Sequence, residues 1–215
     1  MKKVISLTAV ALCALCGAAE LQPMKWVDNA FGAGSVWTKD KDGVMTASKD
    51  AALWSADEYE NFTLEFDYKL DPAANSGVII YCSNVKNWIP NAIEIQLLDD
   101  NHPKWKKDAN YLKNGGIYGR LAPLATPAKP AGEWNHMVIT AKGKKILATL
   151  NGVKTIDTDI SAWKDKKVNP DGTKIPPWLT RHAMNDLPTK GRIGFQGMHG
   201  GARPYFRNVK IGPAK

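Results

Sequence analysis

The sequence predicts an all-β fold, a sandwich or jelly roll made of two antiparallel sheets. Apolar and polar residues alternate along several short runs, whereas no long stretch carries apolar residues at helical spacing. Turns rich in Gly, Asn and Pro separate these runs at short intervals, as is usual in antiparallel all-β domains. A sandwich whose sheets bend has one concave face, and we expect a ligand to bind there.

Strict alternation defines the predicted strands. Residues 62–70, FTLEFDYKL, place five large side chains on one face and the polar ones on the other. Residues 145–156 contain two strands joined by Asn151-Gly152, a dipeptide that predicts a tight hairpin because both of its residues take positive φ. Further strands are predicted at residues 93–97, 136–142, 191–196 and 205–211.

Turn chemistry separates the strands, and two longer stretches are predicted to be loops. The turns are predicted at Asp71-Pro72, Asn75-Ser76-Gly77, Asn114-Gly115-Gly116, Pro130-Ala131-Gly132 and Asn169-Pro170-Asp171-Gly172. Residues 99–114 and 161–190 are too polar or too rich in proline for strands. Loops of this length in a compact domain commonly bind a ligand or cover a site.

Residues 1–19 have the pattern of a secretory signal peptide. The basic pair Lys2-Lys3 precedes an apolar stretch, which ends in small residues of the kind that signal peptidase requires. We expect cleavage after Ala19, export to the periplasm or the cell exterior, and one mature domain of residues 20–215. Lipid attachment through Cys16 is the alternative. The segment is too short to span a bilayer as a mature helix.

Charge and cysteine content narrow the class of protein. The formal net charge of +8 falls to +6 without Lys2 and Lys3. Because the lysines are scattered or lie in short loop clusters, no nucleic acid is expected as a partner. Cys82 is the one cysteine of the mature chain, so no internal disulfide can form. Its place at the end of an apolar run predicts a buried thiol.

Glu94 and Gln96 are the first candidate site residues. They lie two apart in a predicted strand, so their side chains share one face, about 6 to 7 Å apart. Ile93, Ile95 and Leu97 fill the opposite face and are expected in the core. An ordinary solvated outer face is the alternative interpretation of this pair.

Glycine-rich stretches and tryptophans supply the other candidates. Tyr118 and Arg120 share a face if their stretch is extended, and Gln196 follows the apolar end of a strand. His199 precedes two glycines, whose backbone can approach a ligand closely. Sugars stack on indole rings, and three of the eight tryptophans lie in loop-like sequence: Trp88, Trp105 and Trp178. Two others are expected inside the sandwich: Trp54 and Trp134.

Several catalytic motifs are absent from the sequence. There is no HExxH, no paired CxxC, no GxSxG and no phosphate-binding glycine loop. The four histidines have no metal-ligand spacing. The strand with Glu94 carries Gln96 at the position where a retaining jelly-roll glycosidase would usually carry its second acid.

A succession of segments resembles the 3-keto-disaccharide hydrolase domain family from about Met24 to Ile211. The segments are NFTLEFDYKL, NSGVIIYC, AIEIQLLDD, GGIYGRLAP, KPAGEWNHMVI, LNGVKTID, GRIGFQ, HGG and FRNVKI. The resemblance implies a concanavalin A-like, laminarinase-type jelly roll and an exported bacterial protein that acts on oxidised glycosides. In one departure, Gly197-Met198 stand before His199, where the family commonly has Asp-His-Gly directly after the Gln of GRIGFQ.

For an oxidised glycoside of this kind, we expect an elimination followed by hydration, which together amount to hydrolysis. A 3-keto group acidifies the sugar C2 proton, so a base can remove it and the group on C1 can leave. We expect Glu94 and His199 to act as base and acid, in either order. Gln96 and Arg120 are expected to bind the oxyanion or a hydroxyl. The remaining residues expected to line the substrate site are Gln196, Asp67, Tyr118 and Trp105.

Three alternatives remain open from the sequence. One is an ordinary glucanase, which the missing second carboxylate of the Glu94 strand disfavours. A divalent cation could stabilise the enediolate, with Glu94, His199 and Asp100 as conceivable ligands. A non-catalytic carbohydrate-binding sandwich would use the same concave face and the same tryptophans.

Overall fold

The protein folds into two antiparallel β-sheets that pack face to face. The computed structural model describes residues 20–214, so the predicted signal peptide lies outside the described residues. The strands are β1 Gln22–Pro23, β2 Trp37–Lys39, β3 Met45–Ala47, β4 Leu53–Tyr59, β5 Phe62–Leu70, β6 Asn75–Cys82, β7 Ile93–Leu98, β8 Asn135–Lys142, β9 Lys145–Leu150, β10 Val153–Asp159, β11 Gly191–Phe195 and β12 Pro204–Pro213. The all-β sandwich prediction is confirmed.

The larger sheet has the order β10-β9-β8-β5-β12-β3-β2, with β1 paired to β12, and the smaller sheet has the order β4-β11-β6-β7. Short 3₁₀ turns occur at Val85–Asn87, Ile89–Asn91, Asn110–Leu112, Ile160–Ala162, Pro177–Leu179 and Met184–Asp186. None of these helical turns, within residues 20–214, has the length or apolar character that a membrane-spanning helix requires.

The core lies between the sheets and is filled by alternate residues of each strand. The rings of Phe66, Phe195 and Phe206 meet there, with centroids 5.3 Å apart for Phe66–Phe195 and 4.7 Å apart for Phe195–Phe206. All three are fully buried, and burial of each side chain contributes roughly 1.5–3 kcal/mol to stability. Cys82 is buried as predicted. This core holds the sandwich together without a disulfide.

The predicted hairpin and loops are confirmed. Asn151 and Gly152 take φ values of 51° and 79° between β9 and β10, as the tight turn requires. Residues 99–114 and 161–190 contain no strand and only short helical turns.

Two predictions about local structure were wrong. Asn75-Ser76-Gly77 is not a turn but the start of β6, since the chain reverses earlier, at Asp71–Ala74. Neither Trp54 nor Trp134 belongs to the core: Trp54 lies over Gly194 on the outer face of the smaller sheet. The Trp134 ring instead stacks on the Arg207 guanidinium, 4.0 Å away, at the surface.

Candidate active site

Glu94 and Gln96 lie together on the outer face of the smaller sheet. Their neighbours Ile93, Ile95 and Leu97 are part of the core on the other side of β7, as the alternation predicted. This face is not simply solvated, because the loops after β6 and before β11 rise beside it. β7 therefore directs a carboxyl and a carboxamide group away from the core and toward the same covered surface.

A cavity of about 370 Å³ lies over this surface, and we call it the main cavity because it holds both Glu94 and His199. Its volume falls in the range of small-molecule sites, about 300–1,000 Å³. The residues that line it come from the smaller sheet and from the loops around it: Asn75, Trp88, Ile89, Glu94, Tyr118, Trp178, Gln196 and His199. Two indole rings thus share a cavity with a carboxyl, a carboxamide and an imidazole group, which suits a ligand that is apolar on its faces and polar at its edge.

Glu94 is held close to the backbone of β6. A Cβ atom added at Gly77 would lie 2.0 Å from Glu94 Oε1, so the carboxyl group occupies the space that only glycine leaves free. Among the described residues, no group donates a hydrogen bond to this carboxyl. Burial, together with the charge of Asp50, raises the pKa of Glu94 to about 8, because the ionised form lacks solvation. A carboxyl group with this pKa can exchange a proton near neutral pH.

His199 is oriented by a carboxylate that the sequence did not reveal. Its Nδ1 atom lies 2.6 Å from Asp50 Oδ2, and Asp50 belongs to the loop between β3 and β4. The backbone brings the two loops together, since the Met198 N–H donates to Lys49 O and Gly197 has no room for a Cβ against Lys49 O. This structure supplies from another loop the acidic neighbour that is missing next to His199 in sequence.

Gln96 supports the cavity from its edge, while Gln196 lines it. The Gln96 amide nitrogen donates to Asn75 Oδ1 at 3.1 Å, and Asn75 lines the cavity. Gln196 is anchored by its backbone N–H, which donates to Gly77 O. Two side-chain amides, of Asn75 and Gln196, therefore line the same cavity as the Glu94 carboxyl, and Gln96 holds the first of them in place.

Tyr118 and Arg120 do not share a face, because residues 117–121 form a tight turn rather than a strand. Tyr118 lines the main cavity, where burial and then the charge of Glu94 raise the pKa of its hydroxyl. Arg120 is buried, and its Nη2 atom donates to Leu179 O and His182 O. Arg120 holds the loop that carries Trp178 and reaches only a small space of about 20 Å³ behind Glu94. Arg120 does not line the main cavity, so the prediction that it binds the oxyanion or a hydroxyl of the substrate is not supported by its position.

Two further predicted residues lie away from the cavity. Asp67 is on the outer surface of the larger sheet, where its carboxylate binds His136, Arg207 and Asn208. The prediction that it lines the site was wrong, because the alternation of β5 turns Asp67 away from the smaller sheet. Trp105 contacts Gly200 with its ring and donates its indole N–H to Ala73 O, so it backs the His199 corner without lining the cavity.

The three conceivable metal ligands do not converge. Asp100 accepts hydrogen bonds from the Asn114 backbone N–H and lines a different cavity. Within residues 20–214, no three His, Cys, Asp or Glu side chains group in a manner suited to a metal ion. Glu94 and His199 remain the pair that shares the main cavity.

A two-sheet sandwich with an aromatic-walled, polar-based cavity on one sheet is typical of proteins that bind carbohydrate. The chain belongs to the family described as 3-keto-alpha-glucoside-1,2-lyase-like domain, whose pattern it matches over residues 22–212. The family predicted from the sequence segments is thereby confirmed.

Individual relatives agree with this family. A 3-keto-disaccharide hydrolase of Bacteroides thetaiotaomicron is 27% identical over 215 aligned residues, which cover 88% of this chain and 70% of that protein. A crystal structure of a "Putative glycosyl hydrolase" from Parabacteroides distasonis is similar with a TM-score of 0.85 and 42% identity, covering 91% of this chain and all of that one. The carbohydrate-binding module CBM66 of Bacillus subtilis shares the fold, with a TM-score of 0.50 and 13% identity over 81% of this chain and 89% of the module.

Proposed function

We propose that this protein cleaves 3-keto-glycosides by removing the proton on C2, eliminating the group on C1 and adding water to the product. One observation carries the proposal: the Glu94 carboxyl and the His199 imidazole line one cavity with two tryptophan rings. The family and the B. thetaiotaomicron relative support the substrate class.

The first step is proton transfer to Glu94. The keto group at C3 makes the C2 proton acidic, and an enediolate forms when a base takes that proton. Glu94 is suited as this base because its pKa of about 8 lies close to neutral pH. The amides of Asn75 and Gln196 and the Tyr118 hydroxyl, which line the same cavity, are the donors available to the negative oxygen at C3.

The second step breaks the bond between C1 and the glycosidic oxygen. The electrons of the enediolate re-form the keto group and a C1–C2 double bond, and the leaving oxygen takes a proton from His199. Asp50 keeps the imidazole in place through its bond to Nδ1, so that Nε2 is free to face the ligand. Water then adds to C1 and a proton returns to C2, which gives the free keto sugar.

The set of acids in the cavity favours this scheme over ordinary glycoside hydrolysis. Ordinary glycosidases place two carboxyl groups on either side of the scissile bond. Of the described residues, Glu94 alone brings a carboxyl group to the lining of the main cavity, while Asp50 is engaged by His199. Elimination requires one base and one acid, which this pair supplies.

The proposal is tested with a 3-keto-glucoside and its unoxidised parent, each with and without EDTA. We expect release of the aglycone from the keto form alone, and the EDTA arm shows whether a cation takes part. No turnover of the keto form in either arm would refute the elimination scheme, and reducing-sugar release from laminarin would favour a glucanase instead.

The alternative function is that of a non-catalytic carbohydrate-binding module, since the module CBM66 has a similar fold. The Glu94→Gln variant separates the two. An enzyme should lose roughly 10²- to 10⁴-fold in kcat when its general base is removed. A binding module should lose only one charge-assisted hydrogen bond, about 1.5–3 kcal/mol of affinity for the sugar.

A further inference from the structure

A second cavity, of about 260 Å³, lies at the end of the sandwich where β5 and β7 end and β8 begins. Its lining comes from these strand ends, from the loop 99–114 and from residues 126–131, and it shares no residue with the main cavity. Its volume is below the ~300 Å³ at which sites for drug-sized ligands begin. The space is therefore suited to a ligand no larger than one sugar ring.

A buried amide and a carboxylate form the polar wall of this second cavity. Asn114 is only 3% exposed, and its Oδ1 atom accepts a hydrogen bond from the Tyr68 hydroxyl at 3.1 Å. Its Nδ2 atom donates to no group within residues 20–214 and is not enclosed by protein, so its N–H groups are open to the cavity that Asn114 lines. Beside it, the Asp100 carboxylate is held by the Asn114 backbone N–H, at 3.1 and 3.2 Å. A fixed donor thus lies next to a fixed acceptor.

The charges around the second cavity favour an uncharged ligand. Lys113 is already engaged, since its Nζ atom donates to Trp105 O at 2.6 Å. Lys106 and Lys129 line the cavity together with Asp99 and Asp100, so positive and negative groups are mixed. An anion held by the lysines would face the carboxylate of Asp100, whereas a hydroxyl group can donate to that carboxylate and accept from an amide.

The remaining wall of the second cavity is apolar. Leu70, Leu98, Pro130 and Ala131 lie on it, and they offer a surface for the C–H face of a ring. A ligand with carbon on its faces and hydroxyls at its edge fits both walls.

We propose that the second cavity is a separate carbohydrate-binding site that holds one uncharged sugar ring, with adjacent hydroxyls bound by the Asn114 amide and the Asp100 carboxylate. The site does not depend on the proposed reaction. It would give the protein a second point of attachment to a sugar chain or a place for a released monosaccharide.

The test uses the ¹⁵N-labelled mature protein and D-glucose as the probe. The side-chain amide signal of Asn114 is assigned as the one that disappears in Asn114→Asp, a variant that retains an acceptor for the Tyr68 hydroxyl. We expect this signal to move in a saturable manner during a glucose titration. The absence of saturable movement in the wild-type protein would overturn the proposal.

Matched variants locate the binding. Asp100→Asn keeps the shape but removes the charge, and it should weaken glucose binding at this signal at least tenfold. Glu94→Gln, in the main cavity, should leave the titration unchanged. The proposal would fail if Asp100→Asn bound glucose as well as the wild type, or if glucuronate or inorganic phosphate moved the Asn114 signal at lower concentration than glucose did.

Discussion

Glu94 combines its proposed role as the base with a cost in stability, and both follow from the burial of its carboxyl group. Its pKa rises from an ordinary value of 4.5 to about 8 in the folded protein. As a base it must be ionised to react, so kcat/KM for the keto-glucoside should rise as the pH increases toward about 8. A pH–rate profile measured under first-order conditions checks this. A rate that falls over the same range would instead assign Glu94 as the acid.

The raised pKa of Glu94 also makes stability depend on pH. The folded state holds this proton more tightly than the unfolded chain does, so the contribution to stability is complete below pH 4.5 and is lost as the pH rises to about 8. Glu94→Gln cannot lose a proton and should therefore gain Tm relative to the wild type between pH 5 and pH 8. Calorimetry at the two pH values measures the difference. An equal Tm difference at both would contradict the raised pKa.

Asp50 is expected to act through His199 and not on the substrate directly. Asp50→Ala removes the partner of His199 Nδ1, and loss of one charge-assisted hydrogen bond should lower kcat roughly 10- to 100-fold. A double-mutant cycle checks the mechanism. The cycle is run above pH 8, where Glu94 is ionised with or without the charge of Asp50. In a His199→Ala background, the Asp50 substitution should then have little further effect, and a full additive loss would show that Asp50 acts independently.

Strand β6 determines where the Glu94 carboxyl lies, because Gly77 has no side chain. A methyl group at Gly77 would collide with Glu94 Oε1, so Gly77→Ala should displace the carboxyl and lower kcat at least tenfold while the sandwich still folds. Gly32→Ala is the matched control, since a Cβ there would meet its nearest atoms at an ordinary 3.5 Å. Kinetics and circular dichroism of both variants test the expectation, which fails if Gly77→Ala retains wild-type kcat.

The loop 161–190 contributes the exposed ring of Trp178, which is 55% accessible. If the sugar stacks on this ring, Trp178→Ala should raise KM roughly 2- to 10-fold and leave kcat nearly unchanged. Trp178→Phe should recover part of the loss. Val168→Ala is the control, because Val168 is exposed on the same loop but does not line the main cavity. An unchanged KM in Trp178→Ala would remove the loop from substrate binding.

Across the whole molecule, local sequence patterns predicted the features that are determined by residues close together in the sequence, such as strands and tight turns. β5, β7 and the β9–β10 hairpin follow from alternation and turn chemistry, and the shared face of Glu94 and Gln96 follows from the same rule. The contact between Asp50 and His199 could not be predicted in this way, because 149 positions of sequence separate the two residues and Asp50 lies in an ordinary polar stretch. The Asn75-Ser76-Gly77 segment has turn composition, but its glycine is required by the Glu94 carboxyl, a contact that composition does not reveal.

We propose export from the sequence of residues 1–19. The first described strand, β1, pairs with β12 through Gln22 and Ile211 and lies close to the predicted cleavage site at Ala19, so cleavage there would leave the described fold intact. Expression of the full chain in a Gram-negative host should give a periplasmic protein whose N-terminus is Glu20, as intact-mass spectrometry would show. Ala19→Phe should block this processing, since signal peptidase requires a small residue there.

The lipoprotein alternative makes the opposite prediction for Cys16. Cys16→Ser should change neither the mass nor the location of the mature protein if cleavage follows Ala19. If Cys16 carries a lipid, the wild-type protein should be found in the membrane fraction with the mass of the acyl chains, and Cys16→Ser should release it. Membrane retention that depends on Cys16 would show that the protein is anchored by lipid at this cysteine. Stable anchoring of this kind requires more than one acyl chain, which the mass of the wild-type protein would reveal.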